Sequence, residues 1–318
     1  VKQMRKFCLK RSVWAKLSQS STWRSGPIAM GCPGFGTATD PVPWRVAFTT
    51  SNCLADNLLL GFRIVLALVF AGHFAWHFIK YFSRDGLYYF IYLTHWSFML
   101  ECLYMVVLPY ATWRAMQGPT SAVSQFMPLW SAKDAEEPQP SLISSVMALF
   151  MMVDPLSMLV VILYWTLDRP IWKFCAVNGG IEPCYDWPNY LGFFVHGGDW
   201  VLLTINFFVG NMPFYINNSA WVLLFALIYL AWSYLHYVLR IGRAPHFEQE
   251  CAKLGYALRD CPIYGVMDWA DPKKAGTIAA GATLGCVVLI GVYWIMGWLR
   301  DKVGARCCCM PRGGGRAP

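Results

Sequence analysis

The run Leu58-Leu59-Leu60-Gly61-Phe62-Arg63-Ile64-Val65-Leu66-Ala67-Leu68-Val69-Phe70 opens an apolar stretch that continues to Lys80. As a helix, residues 58–80 would extend about 34 Å, enough to cross a hydrocarbon layer about 30 Å thick. In lipid every backbone N–H and C=O must be satisfied inside the segment, which selects the helix. Five more runs have this character: 88–112, 142–166, 190–212, 219–239 and 276–299. Their apolar residues are continuous, not alternating, which argues against a membrane β-barrel. The first run is too long and too deep in the chain for a cleaved signal peptide. The expected fold class is all-α: a polytopic membrane protein, a bundle of six transmembrane helices.

Composition agrees. The 318 residues are 57% hydrophobic, 16% aromatic and only 14% charged, against about 25% charged in a typical soluble domain. So many aromatic rings oppose a disordered chain, and so few charges could not clothe a soluble globule of this hydrophobicity. The net charge of +8 is dispersed over tails and loops, which argues against a nucleic-acid partner.

Three regions follow: a flexible basic N-terminal tail at 1–57, the six-helix domain at 58–299, and a basic Cys-rich C-terminal tail at 300–318. Gly31-Cys32-Pro33-Gly34-Phe35-Gly36 superficially suggests a nucleotide loop. No strand precedes it and no Lys-Ser/Thr pair follows. Residues 113–141 form a Pro/Ser-rich linker. Lys2, Arg5, Lys6, Lys10, Arg11, Lys16, Arg24 and Arg45 crowd the first tail, and the Lys/Arg bias places both termini in the cytosol. The expected location is the endoplasmic reticulum or plasma membrane.

In this topology Cys175 and Cys184 share the third loop and Cys251 and Cys261 the fifth, both on the outer or lumenal side. These four could form two disulfides, with the connectivity open. Cys307, Cys308 and Cys309 form a juxtamembrane cytosolic cluster and are S-palmitoylation candidates.

Ionisable residues inside a span are costly and mark candidate sites. Arg63 lies near the cytosolic end of its span and is expected to snorkel. Thr94 and His196 each lie six residues into a span that enters from the outer side, at a common depth of about 9 Å. Thr94, Ser97 and Glu101 share one helix face, as do His196, Asp199 and Asn206. A hydroxyl, an imidazole and a carboxylate are the parts of nucleophilic acyl chemistry, with Thr94 as nucleophile, His196 as base and Asp199 as the group that orients it. Asn206 is a candidate oxyanion donor. In the structural alternative, Thr94 bonds its own helix and His196 is an interhelical strut. His73, His77, His95 and His236 occupy the same outer third and are an alternative metal set, although no metal-binding motif accompanies them. Glu101 and Asp154 near mid-span leave a pore or carrier reading open.

Tyr89-Phe90-Ile91-Tyr92-Leu93-Thr94-His95-Trp96-Ser97-Phe98 resembles the second helix of the androgen-induced protein/Rolling stone superfamily. Leu163-Tyr164-Trp165-Thr166-Leu167, Val195-His196-Gly197-Gly198-Asp199 and Ile263-Tyr264-Gly265-Val266-Met267-Asp268-Trp269 extend the resemblance over residues 58–299, closest to the Rolling stone branch. Gly265 replaces the family's proline, and His95 stands where an uncharged residue is expected. The resemblance implies six helices and an intramembrane Thr/His hydrolase acting on fatty acid esters of hydroxy fatty acids, with Thr94 and His196 in the matching motifs. It implies no cofactor, and membrane lipid and a lipid ester as partner and substrate. The Rolling stone branch equally implies a non-enzymatic role in cell contact, fusion or scaffolding.

Overall fold

A computed structural model of the chain describes residues 44–51, 53–117, 140–168, 173–177, 180–184, 189–216, 220–253 and 255–307. Helices dominate: α1 (Trp44–Thr49), α2 (Asp56–Asp85), α3 (Leu93–Met116), α4 (Ser141–Leu163), α5 (Tyr190–Phe193), α6 (Asp199–Val209), α7 (Ala220–Val238), α8 (Glu248–Lys253) and α9 (Pro272–Cys307). An antiparallel hairpin, β1 (Lys173–Val177) and β2 (Gly180–Cys184), pairs Lys173 with Cys184 and Val177 with Gly180.

Five segments are long and apolar enough to cross a membrane: Asp56–Ile91, Ser141–Leu167, Tyr190–Val209, Ala220–Val238 and Pro272–Lys302. They coincide with five of the six expected runs. The remaining run, 88–112, divides into a 3-10 segment, Gly86–Ile91, and α3. At 24 residues α3 is about 36 Å long, but it differs in character from the five. It carries Thr94, His95, Ser97, Glu101 and Thr112, all buried. The outward faces of the other helices show the opposite choice: Leu68, Ile79, Leu227, Leu284 and Val288 are each more than half exposed. Apolar side chains thus face out and polar ones face in, as a lipid solvent requires.

The α2–α3 reversal is local chemistry. α2 ends at Gly86, whose φ of +57° suits a residue without a Cβ, and whose N–H bonds to the Phe82 carbonyl. Tyr92 is extended and α3 starts at Leu93. Pro109 lies within α3 and Pro155 within α4, each removing one ladder hydrogen bond. Phe150, Phe207, Phe214 and Tyr293 interlock where α4, α6 and α9 meet, with the first two rings 5.8 Å apart.

At one end of the bundle, residues 44–51 were expected in a flexible tail, but they fold against the helices. Ser51 donates to the Val209 carbonyl at 2.6 Å, and Arg45 to the Ala115 carbonyl at 3.4 Å. This segment also overturns the snorkelling expectation for Arg63, which is 0% exposed. Its Nη1 donates to the Phe48 carbonyl and the Thr112 hydroxyl, both at 2.6 Å. With α1 closing over it, the guanidinium finds protein acceptors and does not reach for water.

The opposite end carries a cap between α7 and α9. The disulfide Cys251–Cys261 closes it, one of the pairings open in the sequence. The side chains of Cys175 and Cys184 lie outside the described residues, as do those of Cys307, Cys308 and Cys309. Arg243 pairs with Glu250 at 2.8 Å and stands over the Phe247 ring at 3.7 Å. Asp85 accepts from Arg84 and faces His246 at 3.5 Å, tying the α2 terminus to the cap.

Candidate functional site

Thr94 lies in the first turn of α3. Most helical threonines here bond the carbonyl four residues back: Thr49, Thr112, Thr166, Thr277 and Thr283 all do so. For Thr94 that carbonyl belongs to Phe90, and it accepts the indole N–H of Trp96 at 2.7 Å. The Thr94 hydroxyl instead lies 3.3 Å from Nε2 of His196.

His196 sits on an irregular turn. The helix entering at Tyr190 widens to π geometry over Phe194–Gly198, where His196 (φ −123°, ψ 22°) leaves the helical region before α6 resumes. Gly197, extended at a φ of 176°, is the other residue that leaves the helical region. The break swings the ring towards α3. A second π turn, Tyr164–Asp168, ends α4 beside it. Tyr164 stacks on the imidazole at 3.5 Å between centroids, and Trp165 donates to the His196 carbonyl at 2.8 Å. Such one-turn π insertions recur at functional sites.

The imidazole's other nitrogen fixes its tautomer. Nδ1 lies 2.7 Å from the Gly192 carbonyl, an acceptor only, so Nδ1 carries the hydrogen and Nε2 presents its lone pair to Thr94. The orienting group is therefore a backbone carbonyl. Asp199, expected in that role, turns elsewhere: its carboxyl accepts from the Trp200 N–H at 2.7 Å and meets the carboxyl of Glu101. Asn206 is also displaced from its expected role, because its amide donates to the Tyr104 hydroxyl at 3.2 Å. Sequence reasoning missed Gly192 entirely, since a carbonyl leaves no residue-type signal. Tyr164 and Trp165 carry no chemical signal in the sequence; only the fold sets them against His196.

The remaining histidines are individually satisfied. His73 donates from Nδ1 to the Val69 carbonyl and meets the Tyr190 hydroxyl at 2.8 Å. His77 bonds the Tyr89 hydroxyl at 3.1 Å, while His95 donates to the Tyr89 carbonyl and stacks on its ring. His236 donates to the Gly242 carbonyl at 2.8 Å, at the cap. Within the alternative metal set His73, His77, His95 and His236, His77 and His95 meet with ring centroids 4.9 Å apart, but the four do not converge. Among the described residues no three His, Cys, Asp or Glu side chains converge as metal ligands.

No family model, curated protein or solved structure matches this chain. What the site can do therefore rests on its own geometry. A hydroxyl whose usual intrahelical acceptor is occupied faces Nε2 of an imidazole held through Nδ1, inside a bundle that buries both helices' polar faces. Deeper in, Ser97 donates to Glu101 at 2.6 Å. Asp154 lies among Tyr104, Tyr293 and Arg300, and Arg300 donates to the Phe207 and Met212 carbonyls at 2.9 Å each. The candidate site thus stands at one end of a polar interior.

Proposed function

We propose that this chain is a multi-pass membrane protein, with α3 as a sixth span and both tails cytosolic, that hydrolyses lipid esters from within the outer or lumenal leaflet. The contact that supports this reading is the Thr94 hydroxyl 3.3 Å from a lone-pair-bearing His196 Nε2. In the first half-reaction, the Thr94 oxygen bonds to the ester carbonyl carbon while its proton passes to Nε2. The tetrahedral adduct collapses, the ester C–O bond breaks, and the imidazolium gives its proton to the departing alkoxide. Water then attacks the acyl-threonine with His196 again as base; the carboxylic acid leaves and Thr94 regains its hydrogen. Thr94 stands in the first turn of a 24-residue helix, whose positive end favours the oxyanion. No cofactor is required by this chemistry. A long-chain ester of hydroxy fatty acid type fits a pair at the level of acyl chains, in the endoplasmic reticulum or plasma membrane.

The Tyr164 stack and the 8% exposure of Thr94 support a second reading. Here the same pair is a packing strut in a non-enzymatic protein of cell contact, fusion or scaffolding. A fluorophosphonate probe separates them. The hydrolase reading expects labelling of the wild-type chain and of Thr94→Ser, and loss with Thr94→Ala. Labelling unchanged in Thr94→Ala would overturn the nucleophile assignment.

A further inference from the structure

The Thr94–His196 contact is not alone in joining α3 to the helix-break-and-α6 unit: Phe98 meets the Phe194 ring and Asn206 donates to Tyr104, and a pair of acids lies between these. Seven residues below Thr94 on the same face of α3 is Glu101; three residues beyond His196 is Asp199. Glu101 and Asp199 are 1% and 3% exposed, and their carboxyls act directly on each other. Ser97 donates to Glu101 Oε1 at 2.6 Å, whereas Oε2 finds no donor among the described residues. Asp199 also accepts from the backbone N–H of Trp200 at 2.7 Å, so the pair ties α3 to the residue that directly follows the open turn presenting His196.

Two carboxylates are acceptors only, so this contact needs a hydrogen between them. Two unneutralised anions packed together away from water would repel strongly. The groups acting on the pair are Ser97 and Cys102 on α3, Ser157 on α4 and Tyr293 on α9. None of these carries a positive charge, and the His196 ring is bonded to Gly192 and Thr94.

We propose that Glu101 and Asp199 share a single proton, and that this proton-bonded pair is a clasp positioning His196 against Thr94. Both are positioning residues, acting through the turn and not on a substrate. The clasp lies about 10 Å along α3 from Thr94, between the Thr94–His196 contact and the Asn206–Tyr104 bond, and so helps to fix the separation and rotation of α3 against the break. Loss of the shared proton converts the clasp from attraction to repulsion and opens the Thr94–His196 contact. The shared proton stands independently of the hydrolase reading; its effect on labelling rests on that reading.

The test is infrared spectroscopy of the full chain in nanodiscs, paired with probe labelling across pH. At neutral pH the wild type should show a protonated-carboxyl carbonyl band that shifts in heavy water. Glu101→Gln and Asp199→Asn should each remove the same component, while Asp154→Asn leaves it. Glu101→Gln retains an amide-to-carboxylate bond and should label at near wild-type rate without the wild-type loss at alkaline pH. Glu101→Ala should fall by up to about 100-fold, the cost of a misplacement near 1 Å. No protonated-carboxyl band in the wild type, or a band unchanged in both pair variants, would overturn the clasp. Absent labelling in the wild type with the band behaving as described would overturn the hydrolase reading and leave the clasp standing.

Discussion

The indole N–H of Trp165 donates to the carbonyl of His196 at 2.8 Å, so the irregular end of α4 and the irregular start of α6 hold each other in place. Each π turn frees backbone groups that a regular helix would satisfy, and here a side chain from one turn satisfies a carbonyl of the other. Local disorder of the ladder is thereby converted into a fixed ring position.

Replacing Trp165 by Phe should therefore act on His196 without touching Thr94. The loss of one buried hydrogen bond is expected to destabilise the chain by about 1 kcal/mol and to slow fluorophosphonate labelling of Thr94. Thr166→Val is the matched comparison, because the Thr166 hydroxyl bonds only its own helix at Ile162. Thermal unfolding in detergent and labelling rate together decide it: equal behaviour of the two variants would separate the Trp165 bond from the site.

Gly242 governs the cap. Its φ is +72°, and a Cβ there would collide with the Leu258 carbonyl and the Arg259 backbone. Its own carbonyl receives His236. Gly242→Ala should cost more than about 2 kcal/mol, because the clash adds to the left-handed strain. Gly255 has φ +84° but open space around it, so Gly255→Ala should cost only the conformational strain, of order 1–2 kcal/mol. The ranking of their unfolding midpoints is the readout.

Acid should loosen the cap through His246. Partial burial and the nearby Arg84 guanidinium hold this imidazole below its ordinary range, against an opposing pull from Asp85. The folded ring thus binds its proton more weakly than the unfolded one. Its contribution to stability is complete above about pH 6.5 and is lost as pH falls through the folded value. Because the side chain is 34% exposed, the effect is below about 1 kcal/mol. His246→Gln should flatten the dependence of the unfolding midpoint between pH 7 and 5; an unchanged slope would assign the acid response to another group.

Much of this was legible in residue order. Apolar runs located the helices because lipid leaves the backbone one way to satisfy itself, and equal depth paired Thr94 with His196. Arg63 misled because its run shows nothing of α1, which supplies Phe48 from outside the span. Asp199 misled for a subtler reason. Helical spacing put it beside His196, but the helix is broken between them, and the π turn rotates the two side chains to different neighbours. Spacing arguments fail where the helix itself changes period, and that is where this site is built.

The burial of α3 has a consequence for how the molecule is made. With His95 and Glu101 in its first half, this helix gains little from lipid alone, since an acid at mid-helix costs about 3 kcal/mol to insert. Its stability comes from α2 and α4, which cover its polar face. The Gly86 reversal makes α2 its immediate partner during synthesis, so the two are expected to leave the insertion machinery as a pair, with α3 shielded from acyl chains until α4 arrives.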